Sequence, residues 1–139
     1  MKHRHPTKTM MRRAAECLIN ERPREIPRLQ IAREVFALFR DSEERYASLK
    51  SFYLRLLGYL PHNHALAYLA SRRQANQTPV QVLMRDVAVC LVTYATRRRS
   101  VRKTAYEVMR LFRGIPGAYR NAEAFYSAVT RLHAKNKNA

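Results

Sequence analysis

Negative charge, glycine, cysteine and long apolar runs are all scarce in this chain. Its 139 residues include only 10 acidic side chains, 3 glycines and 2 cysteines. No apolar run approaches the roughly 18 residues that a membrane-spanning helix needs. The amino-terminal segment, residues 1–8, also lacks the apolar core of a secretion signal. We therefore expect a soluble cytoplasmic protein that has no membrane partner.

The scarcity of glycine and cysteine limits the chemistry that the chain can perform. No glycine-rich phosphate-binding loop, nucleophile elbow or metalloprotease signature occurs in the sequence. Cys17 and Cys90 form no Cys-X-X-Cys pair, so we interpret them as small buried side chains rather than metal ligands or a disulfide. The histidine pairs at positions 3 and 5 and at 62 and 64 have no carboxylate or cysteine close in sequence, which disfavours a metal site. We expect a protein that is not an enzyme and holds no metal or other cofactor.

The charge that is present is strongly positive. Lysine and arginine number 27, which gives a formal net charge of +17, and 21 of these residues are arginine. The repulsion among so many positive charges must be offset by packing or by a polyanionic partner, and nucleic acid is the commonest such partner. The arginine side chain also grips phosphate through two parallel hydrogen bonds. Because a GC-rich genome enriches arginine as well, the positions of the arginines have to decide between the two explanations.

The second half of the sequence aligns with the first half, without a gap, when the chain is shifted by 73 residues. Between residues 6–59 and 79–132, 16 of 54 aligned positions are identical, where average composition would give roughly 3 or 4 by chance. The pattern predicts a tandem duplication. The identical positions include Cys17 with Cys90, Phe39 with Phe112 and Phe52 with Phe125.

Apolar residues recur at helical spacing in three segments of each copy, so we expect an all-α fold. Thr78, Pro79 and Gln81 have the pattern of a capping box with proline in the first turn. Ser42 is the expected cap of the third helix in the first copy. The predicted helices cover about 7–22, 28–40 and 44–60 in the first copy, and about 78–94, 100–113 and 121 onward in the second.

A break at residues 61–63 separates the copies, and the segment 64–75 that follows is predicted to form a connecting helix. A polar tail is expected from Lys135. The predicted organisation is therefore a first three-helix repeat over 1–60, a connecting segment over 61–77 and a second repeat over 78–139, packed as one globule.

Two apolar faces occur in only one of the two copies. Leu54 and Leu57 extend the apolar face of the third helix in the first copy. Val82 and Val89 make the first helix of the second copy apolar nearly all round. We expect these faces to pack on each other and to join the copies. Self-association through one of them, as a homodimer, is the alternative.

Polar residues that are identical in both copies invite a catalytic interpretation. Arg12 and Arg85 are one such pair, and Glu34 and Glu107 are another. Ion pairs between the first and second helix, formed once in each copy, explain these residues better than catalysis does.

The clearest functional feature is a cluster of positive charge in the second copy. Five basic residues lie within 97–103, at the start of a predicted helix, where backbone N–H groups and the helix dipole also favour phosphate. Positions 102, 106, 110 and 113 then form a basic stripe with one tyrosine. The first copy offers an equivalent region that is diluted by acidic residues. The candidate nucleic-acid-binding residues are Arg97, Arg98, Arg99, Arg102, Lys103, Tyr106, Arg110 and Arg113, together with Arg24, Arg28 and Arg33.

Binding to DNA or RNA, which the sequence does not distinguish, is the leading hypothesis, and three alternatives stay open. The stripe can be an ordinary solvated helix surface. The chain can be an adaptor or inhibitor that docks on an acidic protein surface. A helix-turn-helix arrangement is the third alternative, although its connection is longer than the usual tight turn. Its exposed recognition residues would be Asn121, Glu123, Ala124, Ser127 and Arg131.

Overall fold

The computed structural model describes residues 6–21, 26–60 and 77–137. Helices form most of this part of the chain, which confirms the predicted all-α class. The described residues add one isolated antiparallel bridge, between Ser42 and Ala95. None of the described helices combines the length and the apolar character needed to cross a membrane. The helices are α1 (Thr7–Glu21), α2 (Arg28–Leu38), α3 (Leu49–Tyr59), α4 (Pro79–Thr93), α5 (Val101–Leu111) and α6 (Ala122–Lys137).

Local sequence signals determine where the helices of the second half begin. Thr78 Oγ1 accepts a hydrogen bond from the Gln81 N–H over 3.1 Å, and the Gln81 side chain accepts one from the Thr78 N–H, so the predicted capping box is confirmed. Ser100 caps α5, and Asn121 Oδ1 accepts a backbone N–H in the first turn of α6. Because these caps satisfy N–H groups that the helix itself leaves unpaired, they set the starting residues.

The predicted start of α3 near residue 44, with Ser42 as its cap, is wrong. The helix begins only after Ser48, which forms a capping box with Ser51. Ser42 is buried and lies in the bridge to Ala95. Glu44 has a φ of 57°, a left-handed conformation that interrupts any helix running through it.

The polar tail expected from Lys135 is helical through Lys137, since α6 continues to that residue. The predicted connecting helix over 64–75 lies outside the described residues.

The helices pack as two three-helix groups around a shared apolar core. α1 contacts α2 and α3, and α4 contacts α5 and α6, while contacts of α1 with α4 and of α2 with α5 join the groups. Buried side chains from all six helices belong to one cluster. Its largest fully buried members are the phenylalanines Phe39, Phe52, Phe112 and Phe125.

The prediction that the extra apolar faces of α3 and α4 pack on each other is wrong. Val82 and Val89 are buried because α4 contacts α1, α5 and α6. Leu54 on α3 is 59% exposed, and Leu57 is half-buried. The apolar surface of α4 therefore serves contacts with helices other than α3. Self-association through Leu54 and Leu57 stays a prediction.

Candidate nucleic-acid interface

The arginine loop, residues 94–100, connects α4 to α5 and is held against the first half of the chain. The Thr96 N–H donates to the Asp41 carbonyl oxygen over 2.6 Å, and the Glu43 N–H donates to the Tyr94 carbonyl oxygen over 2.7 Å. The Thr96 hydroxyl donates to the same Asp41 oxygen over 3.0 Å. The backbone that bears these arginines is therefore hydrogen-bonded to the first half of the chain at the start of the loop.

Arg99 turns inward. Its Nη1 donates to the Leu38 carbonyl oxygen at the end of α2 over 3.0 Å, and its Nη2 pairs with Glu107 over 2.8 Å. Arg40 pairs with the second oxygen of Glu107 over 3.1 Å. The Arg99 side chain is only 8% exposed and joins α2 to α5, so Arg97 and Arg98 are the exposed arginines of this loop.

Arg12 lies near the buried Tyr46, and Arg85 lies near the half-buried Tyr119. Burial raises the pKa of Tyr46, and the nearby charge of Arg12 opposes that shift. Burial likewise raises the pKa of Tyr119, and the charge of Arg85 opposes it. Glu107, for which a pair with Arg85 is expected from the sequence, pairs with Arg99 and Arg40. Each of these two arginines therefore lies near a tyrosine, which points to a structural role.

Arg102 and Tyr106 of the predicted stripe are joined to a carboxylate on α6. The Tyr106 hydroxyl donates to Glu123 Oε1 over 2.6 Å, and Arg102 Nη1 donates to the same oxygen over 2.9 Å. These hydrogen bonds hold the pKa of Glu123 below its ordinary value and raise the pKa of Arg102. The Arg102 guanidinium also lies 4.3 Å from the centre of the Tyr126 ring. Glu123 thus occupies a position that a phosphate oxygen could take.

The other basic residues of the cluster are exposed. Within the described residues, no acidic side chain lies within 4.0 Å of their charged groups. In the first half, Arg28 and Arg33 are exposed as well, and Arg24 lies outside the described part of the chain. The exposed, unpaired members of the cluster are Arg97, Arg98, Lys103, Arg110 and Arg113.

A cleft of about 540 Å³ separates α5 from the turn that precedes α6. One of its exposed cations, Arg120, was not among the residues predicted from the sequence. Arg120 lies in an irregular turn, where helical periodicity does not assign a side chain to a face, so only its charge could have suggested a role. The lining residues are Tyr106, Met109, Arg110, Arg113, Gly114, Tyr119, Arg120 and Ala122.

A second cleft, of about 440 Å³, opens at the arginine loop. Arg97 and Arg98 supply its exposed cations, and the start of α5 forms part of its wall. Both clefts are concave and basic, so either of them can accept an anionic group. The lining residues here are Val92, Ala95, Thr96, Arg97, Arg98, Arg99, Ser100, Val101 and His133.

The connection between α5 and α6 spans residues 112–121, which is longer than the three- or four-residue turn of a helix-turn-helix motif. Asn121 and Glu123 are exposed, but both already have partners. Asn121 caps α6, and Glu123 is hydrogen-bonded to Arg102 and Tyr106. Two of the polar side chains expected to read bases are therefore engaged within the protein.

The described residues contain no group of three or more histidine, cysteine, aspartate or glutamate side chains that could hold a metal ion. Cys17 and Cys90 are free and buried. Burial raises the pKa of each thiol to about 12, so both stay protonated near neutral pH. The histidine pairs at 3 and 5 and at 62 and 64 lie outside the described residues.

Comparisons with known protein families, with curated proteins and with solved structures give no match to this chain. No relative therefore supplies an activity or a set of site residues. The functional interpretation depends on charge, exposure and geometry.

Proposed function

We propose that this protein binds nucleic acid through the basic surface of its second half and catalyses no reaction. The observation that carries the proposal is a set of exposed cations without acidic partners, all within residues 97–120. The regularly spaced phosphates of a nucleic acid are the partner best able to neutralise such a set of cations. The six cations are Arg97, Arg98, Lys103, Arg110, Arg113 and Arg120.

The acidic residues of the second half do not offset this surface. Residues 79–139 contain 12 basic and 3 acidic side chains. Glu107 and Glu123, two of the three, are already paired with arginines. Most of the positive charge is therefore available to an external anion.

Differences between the two halves support a binding surface on the second one. The halves are, in this proposal, copies of one three-helix unit, because α4, α5 and α6 start 72, 73 and 73 residues after α1, α2 and α3. The buried phenylalanines occupy equivalent positions in the two units. Equivalent positions on the helix surfaces differ in charge. Leu29, Gln30 and Ala37 of α2 correspond to Arg102, Lys103 and Arg110 of α5.

The double substitution R97A/R98A tests the proposal. Binding of a fluorescent DNA or RNA fragment is followed by anisotropy at several salt concentrations. The wild-type protein should neutralise about 4 to 6 phosphates, which gives a log-log salt slope near −4 to −5 on duplex DNA. The variant should bind more weakly, and its slope should be shallower by up to about 2.

R28A/R33A is the matched control, because these two arginines are also exposed but lie on α2. The control removes the same charge and should reduce affinity much less. The melting temperatures of both variants should stay close to that of the wild type, since the side chains of neither pair form a hydrogen bond or ion pair with the described part of the chain. Equal affinity of wild type and R97A/R98A would falsify the proposal.

An acidic protein partner would produce a different result. A pull-down from lysate, performed with and without nuclease, separates the two classes of partner. Under the proposal the captured material disappears after nuclease treatment. A protein that remains bound in stoichiometric amount after complete digestion, together with absent nucleic-acid binding, supports the adaptor function instead.

A further inference from the structure

The cleft beside α5 contains an aromatic ring among its cations. Tyr106 is 42% exposed, which makes it one of only two large apolar side chains exposed in the described part of the chain. The hydrophobic effect normally buries a ring of this size. An exposed ring beside unpaired arginines is the pattern of surfaces that bind single-stranded nucleic acid.

The Tyr106 ring is also held in one orientation. Its hydroxyl donates to Glu123 over 2.6 Å and lies 3.2 Å from Arg102 Nη1. These bonds fix the distal end of the side chain, while much of the ring stays exposed. A ring fixed before binding loses little conformational entropy when a base stacks on it.

Cations flank this ring on two sides of the cleft. Arg110 follows Tyr106 by one helical turn and therefore lies next to it on the surface of α5. Arg113 stands just after the end of α5, and Arg120 belongs to the opposite wall formed by the turn. Gly114 has a φ of 83°, a conformation that glycine adopts without strain, and so lets the chain reverse between the two walls.

The volume of the cleft, about 540 Å³, lies within the roughly 300–1,000 Å³ typical of small-ligand sites. A nucleotide with an unpaired base can enter such a cleft. The bases of a duplex are stacked inside the helix and present only their edges in the grooves, so they cannot stack on Tyr106.

We infer that the preferred ligand of this surface is single-stranded nucleic acid, with an unpaired base stacked on Tyr106 and the neighbouring phosphates held by Arg110, Arg113 and Arg120. The inference rests on the proposed function. It adds the strand state of the ligand and identifies the residue that recognises it.

Anisotropy titrations of Y106A test the inference, with a short oligothymidylate and a duplex of equal length as probes at one salt concentration. We expect Y106A to bind the single strand about tenfold more weakly, within the range measured for the loss of one base–aromatic stack. Duplex affinity should not change. Y106F is the control, because it keeps the ring and removes only the hydroxyl, and it should retain most of the single-strand affinity.

An abasic strand of the same length and charge should bind to wild type and Y106A equally. Oligouridylate provides a second single-stranded probe. The inference is supported whichever of the two single strands, DNA or RNA, binds more tightly. Equal losses on single strand and duplex, or an unchanged affinity of Y106A, would overturn the inference while leaving nucleic-acid binding in place. Failure of the wild type to bind any probe would overturn the proposed function and the inference together.

Discussion

At the scale of single residues, neighbouring arginines in this protein differ in role because their partners differ. Arg98 is exposed and unpaired, whereas Arg99 is buried against α2 and Glu107. Arg102 lies between these extremes, since its guanidinium is exposed but bound to Glu123. The charge of Arg102 is therefore partly neutralised before any ligand arrives.

Replacing Glu123 with glutamine should strengthen nucleic-acid binding. The change removes a carboxylate that competes with phosphate for Arg102. One added phosphate contact makes the log-log salt slope steeper by about 0.9, which corresponds to at most about eightfold in affinity at about 0.1 M salt. Anisotropy titrations at several salt concentrations measure both quantities.

Glu21→Gln is the charge-matched control for that experiment. Glu21 is exposed at the end of α1, so its substitution changes the net charge by the same amount in the other half of the chain. The control should leave the salt slope as it is. If both variants gain affinity equally, net charge and not the release of Arg102 is responsible.

At the scale of elements, the arginine loop combines anchoring with exposure. Its backbone is hydrogen-bonded to the turn after α2, and Arg99 links the end of α2 to α5 through Leu38 and Glu107. Arg97 and Arg98 stay exposed next to this anchor. Contacts that stabilise the two halves against each other thus also position the proposed binding residues.

Arg99→Ala should destabilise the protein, whereas Arg98→Ala should not. Arg99 makes two hydrogen bonds in a largely buried position, and charged hydrogen bonds of this kind contribute about 1.5–3 kcal/mol each. Because Glu107 is partly exposed, we expect a loss near the low end of their sum, about 3 kcal/mol in the free energy of unfolding, as measured by urea denaturation. Arg99→Lys keeps the charge but cannot bridge both acceptors, so it should restore only part of the loss. Equal stabilities of R98A and R99A would contradict this role.

At the scale of the whole molecule, the six helices share one core, and each half contributes one buried cysteine to it. Cys17 lies on α1 and Cys90 on α4, and these two helices are in contact. Such an arrangement predicts that the halves unfold together.

Thiol labelling provides the test of cooperative unfolding. We expect both cysteines to resist labelling in the native protein and to show the same urea dependence of exposure, read out by mass spectrometry. Near pH 8 the folded thiols are protonated, because burial raises their pKa to about 12. Above the unfolded thiol pKa of about 8.5, only the unfolded state ionises, so stability should fall as the pH rises. Labelling of Cys90 at lower urea than Cys17 would indicate that the halves unfold separately.

Part of this structure follows directly from local sequence. The caps at Thr78, Ser100 and Asn121 are short-range signals, and the helices that follow them begin where expected. The start of α3 is different, because the bridge between Ser42 and Ala95 and the left-handed Glu44 hold the preceding segment outside the helix. Partners separated by 53 residues in sequence leave no local pattern to read.

The candidate site likewise has a part that could be predicted from local sequence and a part that could not. The position of the basic cluster, and most of its exposed arginines, could be predicted from charge and helical spacing. The inward turn of Arg99 depends on a carbonyl oxygen 61 residues away, and the pairing of Arg102 depends on Glu123, 21 residues away. Arg120 was missed because irregular turns have no periodicity that assigns side chains to a face.

Residue type and neighbours within one or two helical turns are enough to define the helical class, the apolar positions of the core and the excess of positive charge. They do not define which cations face solvent, which carboxylates neutralise them or which tyrosine stays exposed beside them. These outcomes depend on contacts between helices, and such contacts form only when distant segments pack together.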